Sequence, residues 1–336
     1  MERKISLLGI YLTNFCNLQC EYCYLKDIHK TKKKYMTKNE FQKIINQFVK
    51  YKIKILGLTG GEPTVQWKTF IDILKSTKIL NIDNLTIATN GLLLNGERLK
   101  EIKSLKIPKL GFLISLDSLQ NSEVHDLMRG PNHSKVMDII KLIEKNQMNY
   151  SISMVVHRNN FEEVQKFLAH SKELKMKQDW DIPPLILSQM IVSGGAKKIL
   201  KLRLKAKQEK ILDKIIQENW GDLTFDCCYA PFTSKEPSKF KELAGCPAGR
   251  YEFGIDPFGN LFPCVEISNM VSIGNVFEND FEKIIENSEI IKRFRNNEIG
   301  EPCKSCHFNT CKGGCRIMGS IFYNDLFAGL TFCNKN

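Results

Sequence analysis

Three cysteines define the chemistry open to this chain. Cys16, Cys20 and Cys23 lie in the run Thr13–Leu25, separated by three and then two residues. That spacing lets one loop wrap a metal cluster while offering only three thiolates. A [4Fe–4S] cube has four irons, so such a loop leaves one iron open to another ligand. No further cysteine occurs before Cys227, and nothing nearby in the sequence closes the site. The alternatives are a zinc knuckle short of one ligand, or three unrelated buried thiols.

The elements that must carry this loop alternate along the chain. Residues 5–12 read as a mostly apolar, buried strand that runs straight into the cysteines. Thr37 and Glu40 form a capping box that opens a helix over 41–49. Strands are predicted at 53–58, 85–88, 110–116, 150–156 and 185–192, and helices at 66–78, 132–146 and 161–174. Strands alternating with helices imply parallel βαβ units. Their C-terminal ends, where such folds place sites, read Thr59-Gly-Gly-Glu-Pro63, Thr89-Asn-Gly91, Ser115-Leu-Asp-Ser118 and Ser193-Gly-Gly-Ala196.

Composition bounds the rest. The 336 residues suffice for a large α/β domain with a smaller appendage. No apolar run reaches the roughly eighteen residues that span a bilayer, and there is no signal peptide. Twelve cysteines without a secretion signal point to the reducing cytoplasm and to metal–sulfur sites, not to disulfides. The formal charge is +12, which thiolate-bound clusters would partly offset. No basic run is interleaved with aromatics as in a nucleic-acid platform. Neither a nucleic-acid nor a membrane partner is expected.

Cys-x3-Cys-x2-Cys with Tyr22 before its last cysteine resembles the signature of the radical SAM enzymes. The resemblance implies that the open iron binds S-adenosylmethionine through its amino and carboxylate groups. An electron from the cluster then splits the sulfonium, giving a 5′-deoxyadenosyl radical that takes a hydrogen atom from substrate. It further implies an α/β fold, a partial (β/α)6 TIM-like barrel over residues 1–200. Gly60, Gly61, Glu62 and Pro63 match the family's GGEP segment. There the glycines let backbone approach the methionine end, and a carboxylate can pair with its amino group. Ser115 and Asp117 match a Ser-x-Asp found near the ribose and methionine parts, with Arg129 a candidate partner for the cofactor carboxylate. Asn90 is a further candidate contact, and Tyr22 would touch adenine. Against these stand plainer roles: strand-end Ser or Asp often caps a helix, and an aromatic can simply pack under the loop.

Lys201–Trp220 reads as a basic amphipathic helix within a linker over 201–222, packed on the barrel or facing a partner peptide. Beyond Gly221 lie nine of the twelve cysteines. Residues 251–255 and 260–265 flank Asp256-Pro-Phe-Gly259, a hairpin signal. Gly259-x4-Cys264, then Cys303-x2-Cys306-x4-Cys311-x3-Cys315 and Cys333, resemble the SPASM domain, here 223–336. That cysteine-rich extension occurs on radical SAM enzymes that modify peptides and proteins. The usual x5 before the third of these cysteines is one residue short here, and His307 falls in the shortened segment as a loop residue.

The resemblance implies two auxiliary [4Fe–4S] clusters. Cys303, Cys306, Cys311 and Cys333 would hold the distal one. Cys246, Cys264 and Cys315 would hold the proximal one, with Cys227 or Cys228 as fourth ligand. The spare thiol of that pair could donate a hydrogen atom or be inert. Zinc is the alternative for this region, although the cysteine count makes two complete four-thiolate sites.

The expectation is a radical SAM/SPASM oxidoreductase that matures a ribosomal peptide or a protein by thioether or carbon–carbon crosslinking, or by epimerisation. The alternatives are a small-molecule enzyme of haem-type cofactor or sugar biosynthesis, a sulfatase-maturase-like oxidase, and a non-catalytic iron–sulfur carrier. Sulfatase-maturing relatives carry an Asp base immediately after the cysteine matching Cys264. Here Val265 stands there with Glu266 next, and on a strand that shift turns the carboxylate to the opposite face, disfavouring formylglycine formation. Expected partners are a precursor peptide or protein and a flavodoxin- or ferredoxin-type electron donor. A separate leader-binding protein joins them, because the chain begins almost directly with the first strand.

Overall fold

Parallel strands organise the chain in a computed structural model that describes residues 3–178, 180–219, 221–225, 246–306 and 313–329. Strands β1 (Arg3–Tyr11), β2 (Tyr51–Thr59), β3 (Asn81–Thr89), β4 (Leu110–Ser115), β5 (Asn149–Val156) and β6 (Leu185–Gln189) pair in chain order. Helices α1 (Lys38–Phe48), α2 (Trp67–Ser76), α3 (Gly96–Ser104), α4 (Ser122–Arg129), α5 (His133–Lys145) and α6 (Glu163–Lys175) lie between them. The expected capping box is present at α1, where Thr37 and Glu40 satisfy each other's backbone N–H.

Alternation along each strand gives the sheet two different faces. Leu8, Ile10, Leu56, Leu58, Phe112, Ile114 and Met154 are fully buried in the main core. Each contributes roughly 1.5–3 kcal/mol by leaving water. The other face carries many small or polar residues, including Gly9, Gly57, Ala88, Ser115 and Ser153, and these line a cavity together with Leu7, Leu113 and Val155. Small residues on the inner face therefore make room that large ones would fill.

The sheet also runs beyond the six expected strands. After α7 (Ala206–Glu218), β7 (Leu223–Phe225) adds in parallel to β6. The basic helix is thus shorter than its apolar pattern suggested. Leu200–Leu202 form a 3-10 turn, and Arg158 N donates to Leu202 O, which ties the chain to the end of β5 before the helix starts. The expected hairpin forms as β8 (Glu252–Ile255) and β9 (Asn260–Phe262), and β10 (Gly274–Asn275) pairs with β9. Because β8 pairs in parallel with β1, the order is β10-β9-β8-β1-β2-β3-β4-β5-β6-β7, an open sheet shared by both parts of the chain. Helices α8 (Phe281–Asn287), α9 (Glu289–Arg295) and α10 (Arg316–Tyr323) complete the C-terminal part.

Candidate active site

The cysteine loop leaves β1 and is held from three sides. Asn90, at the end of β3, donates to Asn17 Oδ1 at 2.8 Å, with Cys16 Sγ 4.0 Å away. Glu21 N donates to Met128 O on α4 at 2.8 Å. Gly195 N, beyond β6, donates to Cys23 O at 3.0 Å. The Gly194-Gly195 pair fits only because it has no side chains. A Cβ at Gly195 would stand 2.0 Å from Glu21 O, and one at Gly194 would stand 2.5 Å from Cys23 O.

All three thiols line a cavity of about 360 Å³, together with Tyr22, Gly60, Gly61, Asn90, Ser115 and Arg129. The sequence expectation brought these residues together, and so does the fold. Gly60 and Gly61 also serve a second purpose, since a Cβ on either would meet the backbone of Thr13 or Phe15 at 2.5 Å or less. The glycines let the segment after β2 lie directly on the strand exit that carries the cysteines.

Glu62, Pro63 and Asp117 do not line the cavity. Glu62 is buried beneath it as a brace. One of its oxygens accepts from Thr64 N, Thr64 Oγ1 and Thr89 Oγ1, and the other from Asn90 N at 2.9 Å. Burial raises its pKa, and these donors oppose the shift. The carboxylate expected to pair with the amino group, that of Glu62, is therefore not turned toward the cavity. Pro63 is buried too, its carbonyl accepting from the Tyr35 hydroxyl.

Asp117 is fully buried and grips Arg129, with Nε at 2.9 Å and Nη2 at 3.3 Å, and accepts from the Tyr22 hydroxyl. Burial opposes the Arg129 charge, but Asp117, Tyr22 and Cys20 hold the guanidinium protonated. Two of its five N–H groups serve Asp117, which leaves donors at the cavity wall. His125 Nδ1 accepts from Asp117 N and its Nε2 donates to Asn132 Oδ1, so hydrogen bonding fixes the tautomer that braces this corner.

The C-terminal part supplies the opposite wall. Val265 and Glu266 both line the cavity, as do Tyr11 and Tyr24. This corrects the expectation for Glu266. β9 ends at Phe262 and the chain bends through Pro263–Val265, so strand alternation no longer applies where the carboxylate was assigned to the far face. Tyr11 donates to Val265 O, Tyr24 donates to Tyr11, and the Val265 side chain sits on Gly9, where a Cβ would be 2.9 Å away. Burial, then the Glu266 carboxylate, raises the pKa of both phenols. Tyr11, Tyr24 and the exposure of Glu266 carried no local sequence signal, because their partner arrives from some 250 residues away.

A second set of thiols lies apart from the cavity. Cys246, Cys264 and Cys315 are buried at 5%, 2% and 2% exposure in an apolar cluster, with Cys303 packed against it. Burial raises Cys264, and the neighbouring Glu252, Cys246 and Cys315 add to the shift. Glu252, missed in the sequence, is buried on β8 with Oε1 4.0 Å from Cys264 Sγ. Cys306 is half-buried. Cys227, Cys228, Cys311, Cys333 and His307 lie outside the described residues.

A parallel α/β sheet with a three-thiol loop at its C-terminal mouth defines a radical SAM enzyme. The model of the Radical SAM superfamily matches residues 10–170, and that of the iron–sulfur cluster-binding SPASM domain matches 246–307. The chain belongs to the radical SAM superfamily and carries a SPASM domain. Its cofactors are a [4Fe–4S] cluster with S-adenosylmethionine and auxiliary iron–sulfur clusters. It is 26% identical to the mycofactocin maturase MftC of Mycolicibacterium smegmatis, over 94% of this chain and 78% of the relative. It is 23% identical to the AdoMet-dependent heme synthase of Methanosarcina barkeri, over 99% and 97%. Streptococcus suis SuiB bound to the precursor peptide SuiA shares the fold, with a TM-score of 0.73 at 20% identity, over 99% of this chain and 76% of SuiB.

The donor set fits a cluster at the mouth. Burial pushes Cys16 up to about 12 and Cys23 up to about 11. The thiols are thus neutral alone and become thiolates only beside strongly positive metal. Among the described residues no three His, Cys, Asp or Glu side chains converge as ligands of a single ion do, whereas a cube spreads its ligands.

Proposed function

We propose that the chain is a maturase that uses its radical SAM centre on a C–H bond of a peptide or protein. The observation that carries this is the shared cavity. Three thiols and Arg129 form one wall, and Val265 and Glu266 from the SPASM side form the other. The likeness to a peptide maturase along nearly the whole chain, and to a fold that holds a precursor peptide, supports the substrate class.

In this reading Cys16, Cys20 and Cys23 hold the cube, and Cys246, Cys264 and Cys315 with Cys303 and Cys306 belong to the auxiliary clusters. Cys311, Cys333 and one of Cys227 and Cys228 complete those sets, the other of that pair being the spare thiol. Bound cluster and S-adenosylmethionine supply hydrogen-atom abstraction by the 5′-deoxyadenosyl radical. Around them, Gly60 and Gly61 present backbone, Arg129 offers N–H donors to a carboxylate while Asp117 orients it, and Ser115, Asn90 and Tyr22 line the pocket. The SPASM wall excludes water from the reacting centre. A flavodoxin- or ferredoxin-type protein would supply electrons, and a separate leader-binding protein would deliver the precursor.

The deciding experiment is mass spectrometry of candidate precursor peptides, encoded beside the gene, after anaerobic incubation with enzyme, reductant and S-adenosylmethionine in heavy water. A thioether or carbon–carbon crosslink makes the peptide lighter by a hydrogen pair. Epimerisation with solvent replacement makes it heavier by the mass difference between deuterium and hydrogen. Turnover of tetrapyrrole or sugar with every peptide inert would reject the reading. Glu266 at the cavity favours one further outcome, oxidation of a side chain in which the 5′-deoxyadenosyl radical would take the hydrogen atom, that carboxylate the proton and an auxiliary cluster the remaining electron.

A further inference from the structure

Arg316 is a cation buried in an apolar cluster. It is 3% exposed and opens α10 directly after Cys315. Its Nε and Nη1 have no hydrogen-bond partner, and no carboxylate forms an ion pair with it, among the described residues. Its guanidinium carbon stands 5.6 Å from the Phe327 ring and 6.0 Å from the Phe294 ring, contacts that offset only a small part of the cost of burying charge.

The anionic groups that act on the guanidinium are sulfurs, the buried Glu252 carboxylate standing instead beside Cys264. Cys246, Cys303 and Cys315 all lie within electrostatic range of the guanidinium. Arg250 adds a second cation nearby, donating to Asn297 Oδ1 and to Cys246 O. Two guanidiniums against the single carboxylate of Glu252 leave the metal-free region net positive, and thiolate-bound clusters would bring the balancing negative charge. Arg316 does not line the substrate cavity, so a substrate carboxylate is not its partner.

We infer that Arg316 is the built-in counter-charge of the auxiliary clusters, its Nε–H and Nη1–H facing sulfur between the Cys246–Cys315 set and Cys303. The inference rests on the reading that these cysteines hold clusters. Net charge and hydrogen bonds to sulfur set the potentials of such centres. Reduction adds a negative charge, which a fixed cation in a low-dielectric site stabilises. Arg316 therefore makes the auxiliary clusters easier to reduce and leaves the N-terminal cluster unaffected.

The test is potentiometric titration followed by electron paramagnetic resonance on the reconstituted full chain, with Arg316→Gln and Arg316→Lys. Arg316→Gln is expected to lower the reduced-to-oxidised ratio of at least one auxiliary cluster about tenfold at fixed potential, about 59 mV for a one-electron couple. The N-terminal cluster serves as the internal reference, and Arg316→Lys should retain most of the wild-type value. Loss of auxiliary iron in Arg316→Gln with full iron and near-wild-type potentials in Arg316→Lys supports the same role. Unchanged auxiliary potentials in Arg316→Gln, an equal shift of all clusters, or loss of auxiliary iron in both variants overturns it. Wild-type protein with about four irons where three cubes need about twelve would instead reject the cluster reading.

Discussion

The two thiol sets of this chain differ in almost every physical respect. Cys16, Cys20 and Cys23 are half-buried on a loop, open to a cavity, and held mainly by backbone contacts. Cys246, Cys264 and Cys315 are packed among Phe294, Phe327 and other apolar side chains, with Glu252 and Arg316 as buried charges beside them. An open set suits ligand exchange at a metal corner, whereas a closed set suits electron storage, because little moves around it. The contrast explains why both come from cysteine yet, among the described residues, only the first set lines the cavity at the sheet's mouth.

Removing the open set should have the largest effect. Cys16→Ala is expected to abolish 5′-deoxyadenosine release, read by chromatography, and to remove about a third of the iron if three cubes are present. Activity surviving the substitution would erase the distinction between the sets. Gly195→Ala should come next. Its Cβ would push against Glu21 O, and a displacement of about 1 Å at a reacting centre costs on the order of 10²-fold in rate. Auxiliary iron should stay in place. Gly96→Ala, where the new Cβ meets nothing within 4 Å, is the control.

Glu266→Gln probes the wall that the closed set lends to the open one. Product formation should fall about 10²-fold if the carboxylate accepts a proton, while 5′-deoxyadenosine release continues. Equal loss of both would make Glu266 a packing residue. The smallest effect is expected from Asp117→Asn, which loosens the grip on Arg129. The KM for S-adenosylmethionine should rise about tenfold, the scale of one charge-assisted hydrogen bond, with kcat little changed. A fall in kcat alone would move Asp117 out of cofactor positioning.

The barrel half of the fold was legible because its strands are short apolar runs ending in Gly, Asn and Ser, signals that act within a few residues. The attachment of β8 to β1 and of β7 to β6 was not, since pairing between distant segments leaves no local pattern. The same divide runs through the site. Cys16, Cys20, Cys23, Gly60 and Gly61 were readable from type and spacing. Glu62 and Asp117 were found as residues but not in posture: whether a strand-end carboxylate faces ligand or protein depends on Thr89 and Arg129, which the chain folds against it. The Glu266 carboxylate was assigned to the wrong face by extending strand periodicity past Phe262, where the backbone bends.

Gly254, Gly9 and Gly57 sit abreast on β8, β1 and β2. The isopropyl group of Val265 seats in the notch at Gly9, and Cys264 is its neighbour in the chain. The two halves are thus keyed together at a point one residue from Cys264, a thiol of the closed set. Any bulk added to that notch would be felt at Cys264 and at the cavity wall at once, so the shape of the cavity and the placement of the buried thiols cannot vary independently.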